Sequence, residues 1–103
     1  MSVYAASKAA NGCFARSWTL DLKGRNIRVN AVSPGPTVTP RLSRIVQTEE
    51  ARQQIFAALA ASIPLGRIAD PDEIAKAVVF LASDESSFVN GIELFVDGGQ
   101  AQI

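Results

Sequence analysis

Ile27-Arg28-Val29-Asn30-Ala31-Val32 alternates apolar and polar side chains, several of them branched at Cβ, and runs directly into Ser33-Pro34-Gly35-Pro36. This pattern predicts a short strand over 27–32 that ends in a loop continuing through Pro40. On its amino-terminal side, residues from Ser2 to about Lys23 are rich in alanine. Ala6, Ala10, Phe14 and Trp18 recur there at helical spacing, so one long helix is expected, stopped by Gly24. On the other side, charged residues between Pro40 and Ala61 mix with Leu42, Ile45, Val46, Ile55, Phe56 and Leu59, as one or two amphipathic helices would require. Thr48-Glu49-Glu50 marks the expected break. Ile63-Pro64-Leu65-Gly66-Arg67 is a turn-rich connector, and Asp70 can cap a helix that has Pro71 at its first position. That helix carries Ile74, Ala77, Val78 and Leu81 on one side. Asn90-Gly91 then makes a tight turn before a second strand, Ile92 to Val96, which Asp97-Gly98-Gly99 ends. Two strands joined through helices imply a right-handed crossover and a parallel pair, hence an α/β layered fold.

Composition narrows the function. The 103 residues are 48% hydrophobic and 19% charged, which fits a single globular unit over residues 1–103. Ten basic and ten acidic residues cancel, so no strong field would draw nucleic acid or an anionic membrane surface, and neither is an expected partner. The sequence has no histidine, which removes Ser/His and Cys/His nucleophile pairs and the commonest ligand of a catalytic zinc. Cys13 is the single cysteine, so no internal disulfide forms, no metal spacing arises, and a reducing compartment is expected. Its simplest reading is a small apolar filler on the first helix. With no long apolar run and no leader-like start, the expected location is the cytoplasm.

One constellation carries chemistry. Tyr4 and Lys8 lie four residues apart in the first helix, a spacing that puts them on one face, where an ammonium group can stabilise a phenolate and make a general acid or base. Alone the spacing is weak, because a solvated lysine beside a half-buried tyrosine gives the same pattern. Four blocks in order strengthen it: Tyr4-Ala-Ala-Ser-Lys-Ala-Ala10, Ile27-Arg-Val-Asn-Ala-Val-Ser-Pro-Gly35, Ile63-Pro-Leu-Gly-Arg67, and Phe80-Leu-Ala-Ser-Asp84 with its continuation through Ser87-Phe88-Val89-Asn90-Gly91 to Asp97-Gly-Gly99. Through these blocks the chain resembles the carboxy-terminal half of a short-chain dehydrogenase/reductase.

The resemblance implies a single partial domain, the C-terminal half of a Rossmann-type doubly wound parallel sheet with two strands and three or four helices, completed by oligomerisation. It implies that Tyr4 exchanges a proton with a substrate hydroxyl or carbonyl while NAD or NADP exchanges hydride. Lys8 would hold the nicotinamide ribose and lower the pKa of Tyr4. The Pro34-Gly35 loop would pass over the nicotinamide, with the backbone of Thr37 and the side chain of Thr39 near its carboxamide and the diphosphate. For Thr39, before Pro40, a plain helix cap is the alternative. No residue of the segment from Arg41 to Ser62 is assigned to a substrate, and no metal ligand is expected. Asn90 stands where family members often have threonine, and a turn tolerates either.

The glycine-rich phosphate turn, the residue that selects NAD or NADP, the active-site serine and the relay asparagine find no counterpart in these residues; Ser2 is too close to Tyr4 to be that serine. An unperturbed tyrosine titrates near ~10, so activating it at neutrality takes about 4 kcal/mol of phenolate stabilisation, at roughly 1.36 kcal/mol per pKa unit. One helical partner supplies only about 0.2–0.5 kcal/mol. The isolated chain is therefore expected to be inactive and to bind NAD(P) poorly. Two functions remain open: a short-chain oxidoreductase interconverting alcohols and carbonyls, or a non-catalytic half-domain serving as an assembly or interaction module. Either way a homo-oligomer, dimer or tetramer, or a complementary amino-terminal half is expected to cover the unpaired strand edge. Phe14 and Trp18 would sit near such a seam or in the core of one protomer.

Overall fold

The computed structural model describes residues 2–102, with the side chains of Ser2, Tyr4, Ala5, Lys8, Leu42, Ser43, Ile45 and Gln102 outside the described set. The elements in order are α1 (Ser2–Asp21), β1 (Ala31–Pro34), α2 (Pro40–Ile45), α3 (Glu49–Ala61), α4 (Pro71–Ala82) and β2 (Glu93–Val96), with short 3-10 turns at Asp84–Ser86 and Gln100–Gln102. The strands form one two-stranded sheet. Ala31 N–H donates to Ile92 O at 2.9 Å and Gly35 N–H to Val96 O at 3.0 Å, so partners advance together along both strands and the pair is parallel.

Local sequence explains most boundaries. After Asp21 the chain leaves α1 through turns in which Gly24 (φ 87) and Asn26 (φ 56) take left-handed backbone, which glycine and asparagine tolerate best. Thr48 caps α3 by accepting the Ala51 N–H on its hydroxyl at 3.2 Å, at the break the sequence marks. Before α4, the Asp70 carboxylate accepts the Asp72 N–H at 2.9 Å while Glu73 reaches back to the Asp70 N–H at 3.0 Å, a reciprocal capping box.

The first strand is shifted from its expected place. Pairing within the strand runs over Ala31–Pro34 rather than 27–32, because asparagine side chains enter the ladder ahead of it. Asn90 Oδ1 accepts the Val29 N–H at 3.0 Å, and Asn30 Oδ1 accepts the Ile92 N–H at 3.1 Å. These carboxamides satisfy backbone groups that a regular strand would pair directly.

The chain divides into two compact units, Met1–Val32 with Val79–Leu94, and Ser33–Val78 with Phe95–Ile103. In the first, Ala15 and Leu81 are buried, and Gly12 lets α1 approach Glu93 so closely that a Cβ there would stand 3.3 Å from its carboxylate. The buried side of α1 is thus the Gly12–Ala15 side. Phe14 and Trp18 are half-exposed and stack on each other with ring centroids 5.5 Å apart, outside the core of this chain. Among the described residues, Ser86 is the fully buried polar one. Its hydroxyl lies 2.9 Å from Leu81 O and accepts from the Arg28 guanidinium at 3.0 Å, and the same guanidinium donates to Ser83 O and Val89 O. In the second unit, Ile63 is the buried apolar anchor.

Candidate active site

Tyr4 and Lys8 both fall within α1, one helical turn apart, and their side chains lie outside the described residues. The alanines around them and the absence of proline from α1 keep this turn helical.

The loop that follows β1 belongs to the second unit. Pro34 closes the strand and is exposed. Gly35 is required by close approach: a Cβ there would lie 2.7 Å from both Cα and Cβ of Asp97, closer than real Cβ contacts come. Thr37 donates its hydroxyl to Gly35 O at 2.8 Å, which curls the loop back on itself. The backbone on either side of Thr37 is clamped to Ala69, with Val38 N–H donating to Ala69 O and Ala69 N–H donating to Pro36 O, each at 3.0 Å. In that extended pairing the amide and carbonyl of Thr37 itself point to the side away from Ala69. Thr39 is exposed and stands immediately before α2, whose first residue is Pro40.

The second unit also holds a cleft of about 540 Å³ that sequence reasoning did not anticipate. Its lining includes Ile63, Leu65, Arg67, Glu73, Phe95 and Asp97, with Pro36 contributing the wall it shares with the loop. The clue in the sequence was the pair of turns, Ile63–Arg67 and Asp97–Gly99, whose mutual packing is a tertiary fact. At the rim the Arg67 guanidinium makes a bidentate pair with Glu73 at 2.7 and 2.8 Å. The hydrogen bond from Arg67, followed by that from the Asp70 N–H, holds the Glu73 carboxyl down at about 2 from its ordinary 4.5. The same hydrogen bond raises Arg67.

Other chemistry is sparse. Cys13 is a free, exposed thiol that accepts from Arg16 at 3.1 Å. Among the described residues no cluster of three or more His, Cys, Asp or Glu could hold a metal ion, and no helix is long and apolar enough to cross a membrane.

Residues 1–101 match the family model described as enoyl-(acyl carrier protein) reductase. The chain belongs to the short-chain dehydrogenase/reductase family. It is 47% identical over 96 residues to the 3-oxoacyl-(acyl-carrier-protein) reductase FabG of Thermotoga maritima, covering 93% of this chain and 37% of that protein. Cyclopentanol dehydrogenase of a Comamonas species is 45% identical over 98 residues, covering 95% of this chain and 38% of the relative. The solved structure of Thermoplasma acidophilum aldohexose dehydrogenase in ligand-free form superimposes with a TM-score of 0.88 at 34% identity, over 99% of this chain and 42% of that one. This short-chain dehydrogenase/reductase chain therefore spans well under half the length of these relatives, and its α/β arrangement is that of a partial Rossmann domain.

Proposed function

We propose that the chain supplies the proton-transferring pair and the cofactor-facing loop of an NAD- or NADP-dependent oxidoreductase that interconverts alcohols and carbonyls. The observation that carries this reading is the family match over 1–101, which takes in both the Tyr4–Lys8 turn and the loop from Pro34 to Thr39. When bound, the nicotinamide supplies the hydride donor or acceptor. Tyr4 gives or takes the proton at the substrate oxygen, and Lys8 holds the phenolate form of Tyr4 by its charge and orients the ribose. A carboxamide has one donor and one acceptor group. The outward N–H and C=O of Thr37 are the complementary set, and that supports Pro34, Gly35, Thr37 and Thr39 as the residues that would hold it.

On the same reading these 103 residues do not turn over alone. The diphosphate needs a glycine-rich turn at a helix amino terminus, and the tyrosine needs a desolvated pocket. A polypeptide carrying the rest of a short-chain fold completes the domain, whereas a second copy covers exposed apolar surface without supplying that turn. The exposed Leu20, Val79, Phe80 and Phe88 favour such a partner, because monomers rarely leave this much large apolar surface in water. The same exposure favours a second reading, a purely structural assembly module. A free, exposed Cys13 fits a reducing, cytoplasmic location.

The test combines binding and complementation. Calorimetric titration of the chain with NADH and NADPH is expected to show no saturable binding in the micromolar range. Adding a polypeptide that carries the glycine-rich turn is expected to give cofactor-dependent carbonyl reduction that Tyr4→Phe abolishes. Activity that survives Tyr4→Phe would overturn the catalytic assignment. A complemented, oligomeric and persistently inactive complex would favour the assembly module.

A further inference from the structure

Asp97, Gly98 and Gly99 form a turn that touches two things at once, and both contacts lie within the second unit. On one side the turn is seated on the Ser62–Leu65 connector. Leu65 N–H donates to Gly98 O at 3.1 Å, and Gln100 Nε2 donates to Ser62 Oγ at 3.1 Å. A Cβ on Gly98 would stand 2.6 Å from Ile63 Cγ2 and one on Gly99 3.1 Å from Pro64 Cγ, so backbone meets side chain with no spare room. Ile63 is itself buried, which makes the connector a firm base. On the other side, the backbone of Asp97 presses on Gly35, where the space for a Cβ is already filled. The Asp97 carboxylate sets the shape of the turn between these surfaces. Its Oδ1 accepts the Gly99 N–H at 2.9 Å and its Oδ2 the Ala101 N–H at 3.0 Å.

We propose that Asp97 is a positioning residue for the loop from Pro34 to Thr39: its carboxylate fixes the turn, and the turn, wedged between Ile63 and Gly35, holds Thr37 in the orientation the cofactor requires. The proposal rests on the cofactor reading given above. Its physical basis is the lack of slack. Where a glycine Cα meets backbone directly, no rotamer can absorb a displacement, so any movement of Asp97 passes to Gly35 and, through the Gly35 O to Thr37 hydroxyl bond, to Thr37. Asp97 acts through the loop and is assigned no contact with cofactor or substrate.

The experiment uses the full chain, isotope-labelled, with amide exchange and amide chemical shifts read by NMR in the parent, Asp97→Ala and Asp97→Asn. Asp97→Ala is expected to speed exchange at the Val38 and Ala69 amides about tenfold, on the scale of one lost hydrogen bond, while amides in the middle of α4 keep their protection. Asp97→Asn keeps one acceptor oxygen and the same shape, and is expected to restore most of that protection. Millimolar NADH is expected to shift the Thr37 amide in the parent and in Asp97→Asn and to lose most of that shift in Asp97→Ala. Unchanged loop amides and an unchanged NADH response in Asp97→Ala would overturn the proposal. Loop amides that loosen in Asp97→Ala, with no NADH response in the parent even after a polypeptide carrying the glycine-rich turn is added, would overturn the cofactor reading and the positioning role together, leaving the packing contact alone.

Discussion

The two units fasten the stretch around β1 to the stretch around β2 by different means. In the first unit, side chains do it: the Arg28 guanidinium, the Asn30 carboxamide and the Asn90 carboxamide bond across to residues 83–92 and 29. In the second, Gly35 does it, letting its backbone meet Asp97 at a distance that excludes a Cβ, while Gly98 and Gly99 seat the same turn just as tightly on the Ile63 and Pro64 side chains. A side-chain stitch loses its bonds when its residue is replaced, yet a homologous group can remake some of them. A glycine set against backbone, as Gly35 is, has no such reserve, since any larger residue must move the backbone. The first kind of junction therefore tolerates conservative change and the second does not.

Gly35→Ala is the substitution that would break this comparison most decisively. Its φ is not left-handed, so the whole effect comes from the 2.7 Å approach to Asp97. We expect a loss of about 3 kcal/mol, toward the upper end of overpacking effects because the obstacle is backbone rather than the far end of a side chain. Urea denaturation of the full chain measures it. A loss below about 0.5 kcal/mol, the range of surface substitutions, would mean that the glycine junction yields as easily as the side-chain one.

Arg28→Met ranks next. It removes three part-buried hydrogen bonds, while Val89 O keeps the Asn30 carboxamide and Ser83 O keeps the Ser86 N–H, an expected loss of about 2 kcal/mol. Arg28→Lys is expected to recover about half of this, because an ammonium group restores one or two of the bonds without the planar fork. Failure of lysine to recover any stability would contradict the tolerance claimed for this junction. Asn90 gives a finer test. Asn90→Thr keeps an oxygen near the Val29 N–H and should fall within about 0.5 kcal/mol of the parent, while Asn90→Ala should lose about 1 kcal/mol, the typical worth of one hydrogen bond.

The same contrast explains how much of the molecule could be read from its sequence. Caps and stops are local chemistry, so Thr48, Asp70-Pro71 and Gly24 placed the helices within a few residues. The register of β1 was not local. Whether Val29 pairs with a strand or with the Asn90 carboxamide depends on a residue 61 positions away, and alternation along 27–32 is blind to that. The loop through Pro34 and Pro36 was legible from its prolines, whereas the demand for glycine at 35 arises only when Asp97 arrives beside it. Tyr4 and Lys8 owe their assignment to the surrounding blocks of sequence, since their spacing alone is common in helices. For the cleft at Ile63, Phe95 and Asp97 the sequence offered only its two flanking turns, because the space between them depends on a packing that no single segment encodes.

The Arg67–Glu73 pair sharpens the comparison from its weak end, as a side-chain contact made in the open. Both groups are solvated, so water and salt screen their attraction and the pair should matter less to stability than the part-buried Arg28 stitch. Its signature is in the pH dependence. Glu73 is held at about 2 in the folded chain against an ordinary 4.5, so the folded state binds its proton less readily than the unfolded one. The contribution is accordingly complete above the unfolded value near 4.5 and is lost as pH falls through about 2. Titrating the Glu73 carboxyl by NMR is expected to give a midpoint near about 2 that moves back toward 4.5 in Arg67→Gln, with the remaining depression owed to the Asp70 N–H and, to a small extent, Lys76. Added salt should raise the parent midpoint and barely affect the protection of the Gly35–Asp97 contact, because charge is screened and contact between backbones is not. A Glu73 midpoint that stayed at its ordinary value in the parent would show that this pair is not formed in solution, and would leave the glycine contacts as the principal fastening of the second unit.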